Sequence, residues 1–192
     1  MVLQRSRLVR LLVAIALIAL AAVGLRLSEG EEDQNFKVVR GILGEPVAIH
    51  GGTVTASEVR VGTSLSRRDE VYAVTAGLFV VVRVEVAATG PELVRPAGLQ
   101  VLTENRRYDS FGHSITGQAE PGLAATDDAI FEIDPADVTD LTLEVYPRET
   151  VSGYTQHTRI HLGITPGNAG QWRAAGQNQT VETLDLPVVR AI

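Results

Sequence analysis

Apolar and polar residues alternate with a period of two through the body of the chain. From Leu78 to Ala87, Val80, Val82, Val84 and Val86 fall on one face, and Phe79, Val81, Arg83 and Glu85 on the other. Four β-branched residues on one side predict a strand fully buried on that face and partly buried on the opposite one. Leu141, Leu143 and Val145 alternate with Asp140, Thr142, Glu144 and Tyr146. Ile160, Leu162 and Ile164 alternate with Arg159, His161 and Gly163. Leu184, Leu186 and Val188 alternate with Thr183 and Asp185, and Pro187 marks that segment as an edge strand. Shorter strands are predicted at Val47–Ile49, Thr53–Val61, Leu99–Thr103, Arg106–Asp109 and Ala129–Ile133.

Turn residues separate these segments: Gly51-Gly52, Gly90-Pro91, Arg95-Pro96, Pro121-Gly122, Asp134-Pro135, Pro147 and Pro166-Gly167. No interval supplies the crossover helix of roughly ten or more residues that a parallel α/β sheet needs. Ser66 to Gly77 reads as a loop leading into a strand. Residues 166–180 are small and polar and read as a long loop or loosely held tail. The fold class expected from this pattern is all-β, an antiparallel β-sandwich.

The N-terminus follows another pattern. Leu11 to Leu25 are apolar apart from one glycine, and only Arg10 and Arg26 interrupt residues 8–27. Both arginines lie near the ends, where long side chains reach the headgroups. The run is long enough to cross a hydrocarbon core of about 30 Å as a helix. Arg5, Arg7 and Arg10 precede it, and Glu29, Glu31, Glu32 and Asp33 follow. The basic flank predicts a cytoplasmic N-terminus and an exported body. A cleaved signal peptide is the competing reading, since Ala19-Leu20-Ala21 resembles a small-residue cleavage site. The apolar residues Ala22 to Leu25 beyond it favour an uncleaved anchor.

The expected organisation is therefore a cytoplasmic basic segment at 1–10, a transmembrane signal anchor at 11–27 and an acidic linker at 28–43. The β-sandwich spans 44–165, and 166–192 form a C-terminal extension carrying the edge strand. The expected location is the cell membrane, single-pass, with the body extracytoplasmic.

Charge and composition narrow the function classes. The formal net charge is −6. All the acids lie beyond position 28 and four arginines lie before it, so the exported part stands near −10. Such a body repels nucleic acid and anionic lipid. The chain has no cysteine, which removes disulfides, thiolate chemistry and a lipid-modified cysteine. Aromatics are 5%, too few for a base-stacking platform.

Gly77-Leu78-Phe79-Val80-Val81-Val82-Arg83-Val84-Glu85-Val86 resembles a central strand of an exported bacterial immunoglobulin-like family of unknown function, related to the mycobacterial immunoprotective extracellular protein. Gly44-Glu45-Pro46-Val47 to Val61 is similar to the Gly-rich hairpin that precedes it there. Ile130-Phe131-Glu132-Ile133-Asp134-Pro135 and Asp140-Leu141-Thr142-Leu143-Glu144-Val145 look like later strands. The resemblance covers roughly Gly44 to Ile164 and implies an immunoglobulin-like sandwich on a membrane anchor or lipid. This chain departs from the family in lacking the lipobox cysteine, and its extension after Ile164 has no counterpart. The resemblance brings no catalytic residues.

Each cluster of reactive side chains has an ordinary structural explanation. Gly112-His113-Ser114-Ile115-Thr116 approaches a nucleophile elbow, but its last position is threonine and its surroundings are polar loop. His157, Arg159 and His161 share the face opposite Ile160 and Leu162; Arg159 between the histidines disfavours a cation. His50 reads as a turn residue. Asp127, Asp128, Glu132, Asp134, Asp137 and Asp140 lack calcium-loop spacing and read as a solvated acidic edge. Trp172 beside Arg173 reads as a latch packing the C-terminal extension onto the sandwich, with a partner anchor as the other option. Asn178-Gln179-Thr180 matches a glycosylation sequon and is set aside in a bacterial-looking chain.

No catalytic, cofactor-binding or metal-ligating residue is assigned, and no enzyme activity is expected. The expected function is a non-enzymatic binding or accessory module of the bacterial envelope. It touches the membrane through its N-terminal helix and an envelope protein through its body. The alternatives are a carrier of a small apolar ligand or lipid between the sheets, and a hydrolase using Ser114.

Overall fold

The structure, a computed structural model, describes residues 36–111, 118–147 and 155–192. The apolar run at 11–27, the acidic residues 28–35 and the Ser114 segment lie outside the described residues. Among the described residues, no helix is long and apolar enough to cross a membrane.

Among the described residues, eleven strands form two sheets: β1 (Phe36–Ile42), β2 (Val47–Ile49), β3 (Gly52–Arg67), β4 (Glu70–Ala88), β5 (Pro96–Leu102), β6 (Arg107–Asp109), β7 (Leu123–Ile133), β8 (Thr142–Pro147), β9 (Thr155–His161), β10 (Thr180–Glu182) and β11 (Val188–Ala191). Sheet A has the order β1-β9-β8-β5-β6. Sheet B has the order β10-β3-β4-β7-β11, with β2 also pairing with β3. Residues 36–42, expected in the linker, are therefore the edge strand of sheet A.

The expectation of a purely antiparallel sandwich fails at two edges. β1 runs parallel to β9, from Phe36 opposite Thr155 to Ile42 opposite His161. β10 runs parallel to β3, with Val181 opposite Leu65. In each case a distant segment returns to a sheet edge, and such long-range pairing leaves no local turn signature. The extension expected to be loop also departs from its sequence reading. It holds an α-helix, α1 (Ala169–Gly176), before β10, and its final strand starts only after Pro187. Asn168 prepares the helix: its side-chain Oδ1 accepts from the Thr165 N–H at 2.8 Å and its Nδ2 donates to the Gly163 carbonyl at 2.8 Å. Gly176 brings α1 close, because a Cβ there would sit 2.7 Å from Leu78 Cδ2.

The valine face of β4 behaves as its periodicity predicts. Val80, Val82, Val84 and Val86 enter the main core with Val54, Phe131, Val101, Leu143, Ile160, Leu162 and Ile164. Trp172 packs against this core from α1, as a latch would. Phe79 and Val81, on the other face of β4, join Leu65, Ile130 and Val181 in a second small cluster. β7 extends further than expected, because Ala124 and Ala125 are buried although their small side chains give little hydrophobic signal.

The inward faces of β5, β8 and β9 carry the core residues Leu99, Val101, Leu143, Val145 and Ile160. Their alternate residues therefore face outward, and that outer face of sheet A gathers the chemistry.

Candidate functional site on the outer face of sheet A

Strand register builds a polar row across all of sheet A. Asp109 on β6 pairs with Gln100 on β5, and Gln100 with Glu144 on β8. Glu144 pairs with Arg159 on β9, and Arg159 with Arg40 on β1. Each is the polar member of an alternating strand, so the period that buries the valines also lines up these groups.

Glu144 is the centre of the row and is only 1% exposed. Arg159 Nε donates to its Oε1 at 2.8 Å, and Gln100 Nε2 donates to Oε2. His157 Nδ1 lies 3.3 Å from Oε1, and the His157 ring stacks on Tyr146 with centroids 5.9 Å apart. Burial pushes the Glu144 carboxyl up, but the hydrogen bonds from Arg159 and Gln100, with His157 close by, outweigh it and hold it below the usual carboxylate range. Burial, with the charges of Asp109 and Glu144, pushes the Tyr146 hydroxyl up. Tyr146 covers Gly98 so closely that a Cβ there would strike the ring.

Beside this row a cleft of about 570 Å³ opens over the same face. Arg40, Arg159 and His161 line one side, Thr142, Thr139 and Asp140 the middle, and Leu102 and Glu104 the other side. His161 Nε2 lies 3.0 Å from Asp140 Oδ1, and its Nδ1 accepts the Gly163 N–H at 3.1 Å. Nδ1 is thus an acceptor, so Nε2 carries the proton and donates it to Asp140. Both ring nitrogens of His161 are thus engaged, one by Asp140 and one by the Gly163 N–H.

A second buried carboxylate sits on the outer face of sheet B. Asp128 Oδ1 accepts from Arg60 Nη2 at 2.6 Å and Arg83 Nε at 3.1 Å, and Oδ2 accepts the Leu184 N–H at 2.8 Å. Burial raises the Asp128 carboxyl, and these donors, Arg83 first, bring it below the ordinary range. Its neighbour Asp127 is shifted upward by burial. This cluster ties β3, β4 and β7 to the C-terminal segment.

The histidine face of β9 forms as the sequence predicts, but its members separate. His157 turns to Glu144 and His161 to Asp140. Among the described residues no group of three or more histidine or acidic side chains could hold a metal ion. The acidic set disperses: Asp134 Oδ1 caps the Ala136 N–H at 2.9 Å, Asp137 accepts from the Tyr108 hydroxyl at 2.5 Å, and Glu132 accepts from Thr75. His50 occupies the turn before Gly51, whose φ is +81°. Sequence reasoning missed Gln100, Glu144 and Arg40 as a group. The available signal was a polar residue framed by core residues, as in Leu99-Gln100-Val101 and Leu143-Glu144-Val145.

No protein-family model and no curated protein sequence matches the chain. Two solved structures are similar to it. One is an uncharacterized β-sandwich protein from Clostridium difficile 630, with TM-score 0.44 and 10% identity, over 64% of this chain and 94% of that one. The other is the yjhA protein from Bacillus subtilis, with TM-score 0.47 and 11% identity, over 62% of this chain and 99% of that one.

Proposed function

We propose that this protein is a membrane-anchored, extracytoplasmic binding or accessory module of the bacterial envelope that does no chemistry and acts through protein–protein contacts. The carrying observation is the apolar run at residues 8–27 between an arginine-rich flank and an acidic one, joined to a β-sandwich body. The strand pattern at 77–86 and 140–145 supports an immunoglobulin-like kinship for that body. The ring of His161 is closed on both nitrogens, and Glu144 and Asp128 are spent on arginines, which supports a binding role over a catalytic one. An anchored rigid scaffold raises the local concentration of its surface near membrane partners.

The alternative, a small apolar ligand or lipid held between the sheets, draws less support. Val54, Val80, Val82, Val101, Leu143 and Ile160 pack the inner faces with 0% exposure, and the described cleft lies outside sheet A. Mass spectrometry of the purified protein is expected to find no stoichiometric apolar ligand.

The test of the main reading is a topology reporter fused after Ile192, combined with alkaline extraction of membranes. The expected result is an extracytoplasmic reporter and a chain retained in the membrane pellet. A cytosolic reporter overturns the reading. Crosslinking in intact cells then identifies the contacted protein.

A further inference from the structure

β4 outruns the strand beside it. Its residues 78–87 pair with β7, from Leu78 opposite Ile133 to Ala87 opposite Ala124. Among the described residues, 70–77 pair with β3 alone, so their other side is a free sheet edge. Gly77 gives its N–H to Thr75 Oγ1 at 2.9 Å, which leaves 70–76 as the open stretch. This tip is held in place. Beyond β3 lies β10, with Val181 opposite Leu65. The Tyr72 hydroxyl lies 3.2 Å from Thr183 Oγ1, and the Arg67 guanidinium sits 5.1 Å over its ring. Ala73 packs against the cluster of Leu65, Phe79, Val81, Ile130 and Val181. A strand added here meets an edge already ordered, so binding costs little entropy on this side.

The terminal strands of both sheets each carry charge: Lys37 and Arg40 on β1, Arg107 and Asp109 on β6, Glu182 on β10 and Arg190 on β11. Charged residues on an edge discourage pairing with another molecule. From Val71 to Gly77 no charge occurs, and Val71, Tyr72 and Val74 are 57%, 44% and 72% exposed. The side chains also fit a second copy of themselves. When two such edges run antiparallel with Ala73 opposite Ala73, Tyr72 falls opposite Val74 and Val71 opposite Thr75, each twice. Aromatic and β-branched residues make favourable cross-strand pairs. Glu70 and Asp69 then fall opposite Ala76 and Gly77, so no like charges meet. Tyr72 is an extra residue in the ladder, since Leu65 pairs with Ala73 and Ser66 with Val71. Such a bulge increases the local twist, and a second copy brings an edge of the same twist.

We infer that two copies of this protein pair antiparallel through residues 70–76 of β4, about a two-fold axis at Ala73, and so join their B sheets. The pairing uses the β-sandwich body alone and does not depend on the envelope location. The contact is short, so the dimer dissociates on dilution.

The chain has no cysteine, so one introduced thiol reports the contact without interference. Residues directly opposite in antiparallel strands have Cα atoms about 4.5–5.5 Å apart, within the range a disulfide spans. The test is oxidation with copper phenanthroline of the full-length Ala73→Cys variant, in detergent micelles and in membranes of the producing cells. A disulfide-linked dimer is expected in both. Leu93→Cys, exposed elsewhere on the body, is expected to stay monomeric. Val74→Lys added to Ala73→Cys is expected to cut the dimer yield severalfold. Val74→Lys alone keeps the inference open to test if Ala73→Cys does not fold. In sedimentation equilibrium it is expected to weaken the wild-type dimer about tenfold, because two cross-strand pairs are lost at once. A wild-type chain that is monomeric at all concentrations, or a dimer that Val74→Lys leaves unchanged, overturns the inference. So does equal crosslinking through Leu93→Cys. Capture of a different protein by the Ala73→Cys thiol in membranes also overturns it, since the edge then receives a foreign strand.

Discussion

Glu144 and Arg159 face each other across β8 and β9, with Glu144 Oε1 2.8 Å from Arg159 Nε, and the carboxylate is buried. The same carboxylate also accepts from Gln100 on β5, so three adjacent strands of sheet A converge on one acceptor. Removing it leaves Arg159 and Gln100 with unmet donors under cover. Glu144→Ala is expected to cost about 2–3 kcal/mol, less than a fully buried pair because Arg159 reaches solvent. Glu144→Gln retains an acceptor and is expected to cost about half as much. Urea denaturation of the two variants checks the order; equal losses refute the hydrogen-bonding role.

Asp128 has the corresponding place in sheet B, but one of its donors is the backbone of Leu184. Asp128→Asn is expected to lose about 2 kcal/mol, because Arg60 and Arg83 lose their buried counter-charge and keep only the exposed Glu58, 3.6 and 3.3 Å away. It is also expected to speed hydrogen exchange at the Leu184 amide. Unchanged exchange there would show that the C-terminal segment is held by other contacts.

Both carboxylates have folded-state pKa values below their ordinary values. Their contribution to stability is therefore present above the unfolded-state pKa and is lost as pH falls through the folded one. Asp127, shifted upward, contributes the opposite trend, and does so above its ordinary value, where the other two carboxylates are still ionised. Two donor-rich carboxylates against one desolvated group leave a net loss below about pH 4. The urea midpoint is expected to be flat from pH 7 to 5 and to fall below pH 4, with a shallower fall in Glu144→Gln.

The β3–β4 hairpin turns through Arg68 and Asp69, with φ of 51° and 65°. A two-residue turn of this hand requires positive φ at both centres, which arginine adopts at a cost and asparagine and glycine adopt readily. Arg68 gives an exposed ion pair to Asp185 in return, a contact of small value. The double variant Arg68→Asn, Asp69→Gly is expected to gain about 0.5 kcal/mol and raise the Tm by about 1–2 °C. A lower Tm would assign more to the Asp185 pair than an exposed contact normally carries.

Trp172 closes α1 over the main core, while Arg173 Nη1 donates to the Val138 carbonyl at 3.1 Å. Trp172→Ala is expected to cost about 2 kcal/mol, roughly half the value of a fully buried tryptophan. The effect is expected to concentrate in α1, as faster amide exchange at 169–176. Uniform loosening of both sheets would argue against a local latch.

Local periodicity alone made several elements legible. The valines of β4 and the alternation of Leu141 to Val145 state which face is inside, because period two is a property of the strand itself. The shared face of His157, Arg159 and His161 follows for the same reason. The charge and the apolar run at 8–27 likewise needed no fold to be read. What the sequence could not disclose is which strands lie side by side. Arg40 meets Arg159 only because β1 returns parallel to β9, and Gln100, Glu144 and Arg159 meet only because β8 sits between β5 and β9. Helix α1 was equally hidden, since it is one short run of eight residues with glycines at its second and last positions, Gly170 and Gly176, held by packing on Leu78 and Val61. The chain by itself determined the strongly alternating strands β4, β8 and β9 and their faces; tertiary pairing decided the neighbours and the edge strands β1 and β10, because contacts between distant segments are set by how whole sheets close on a shared core and not by any local run of residues.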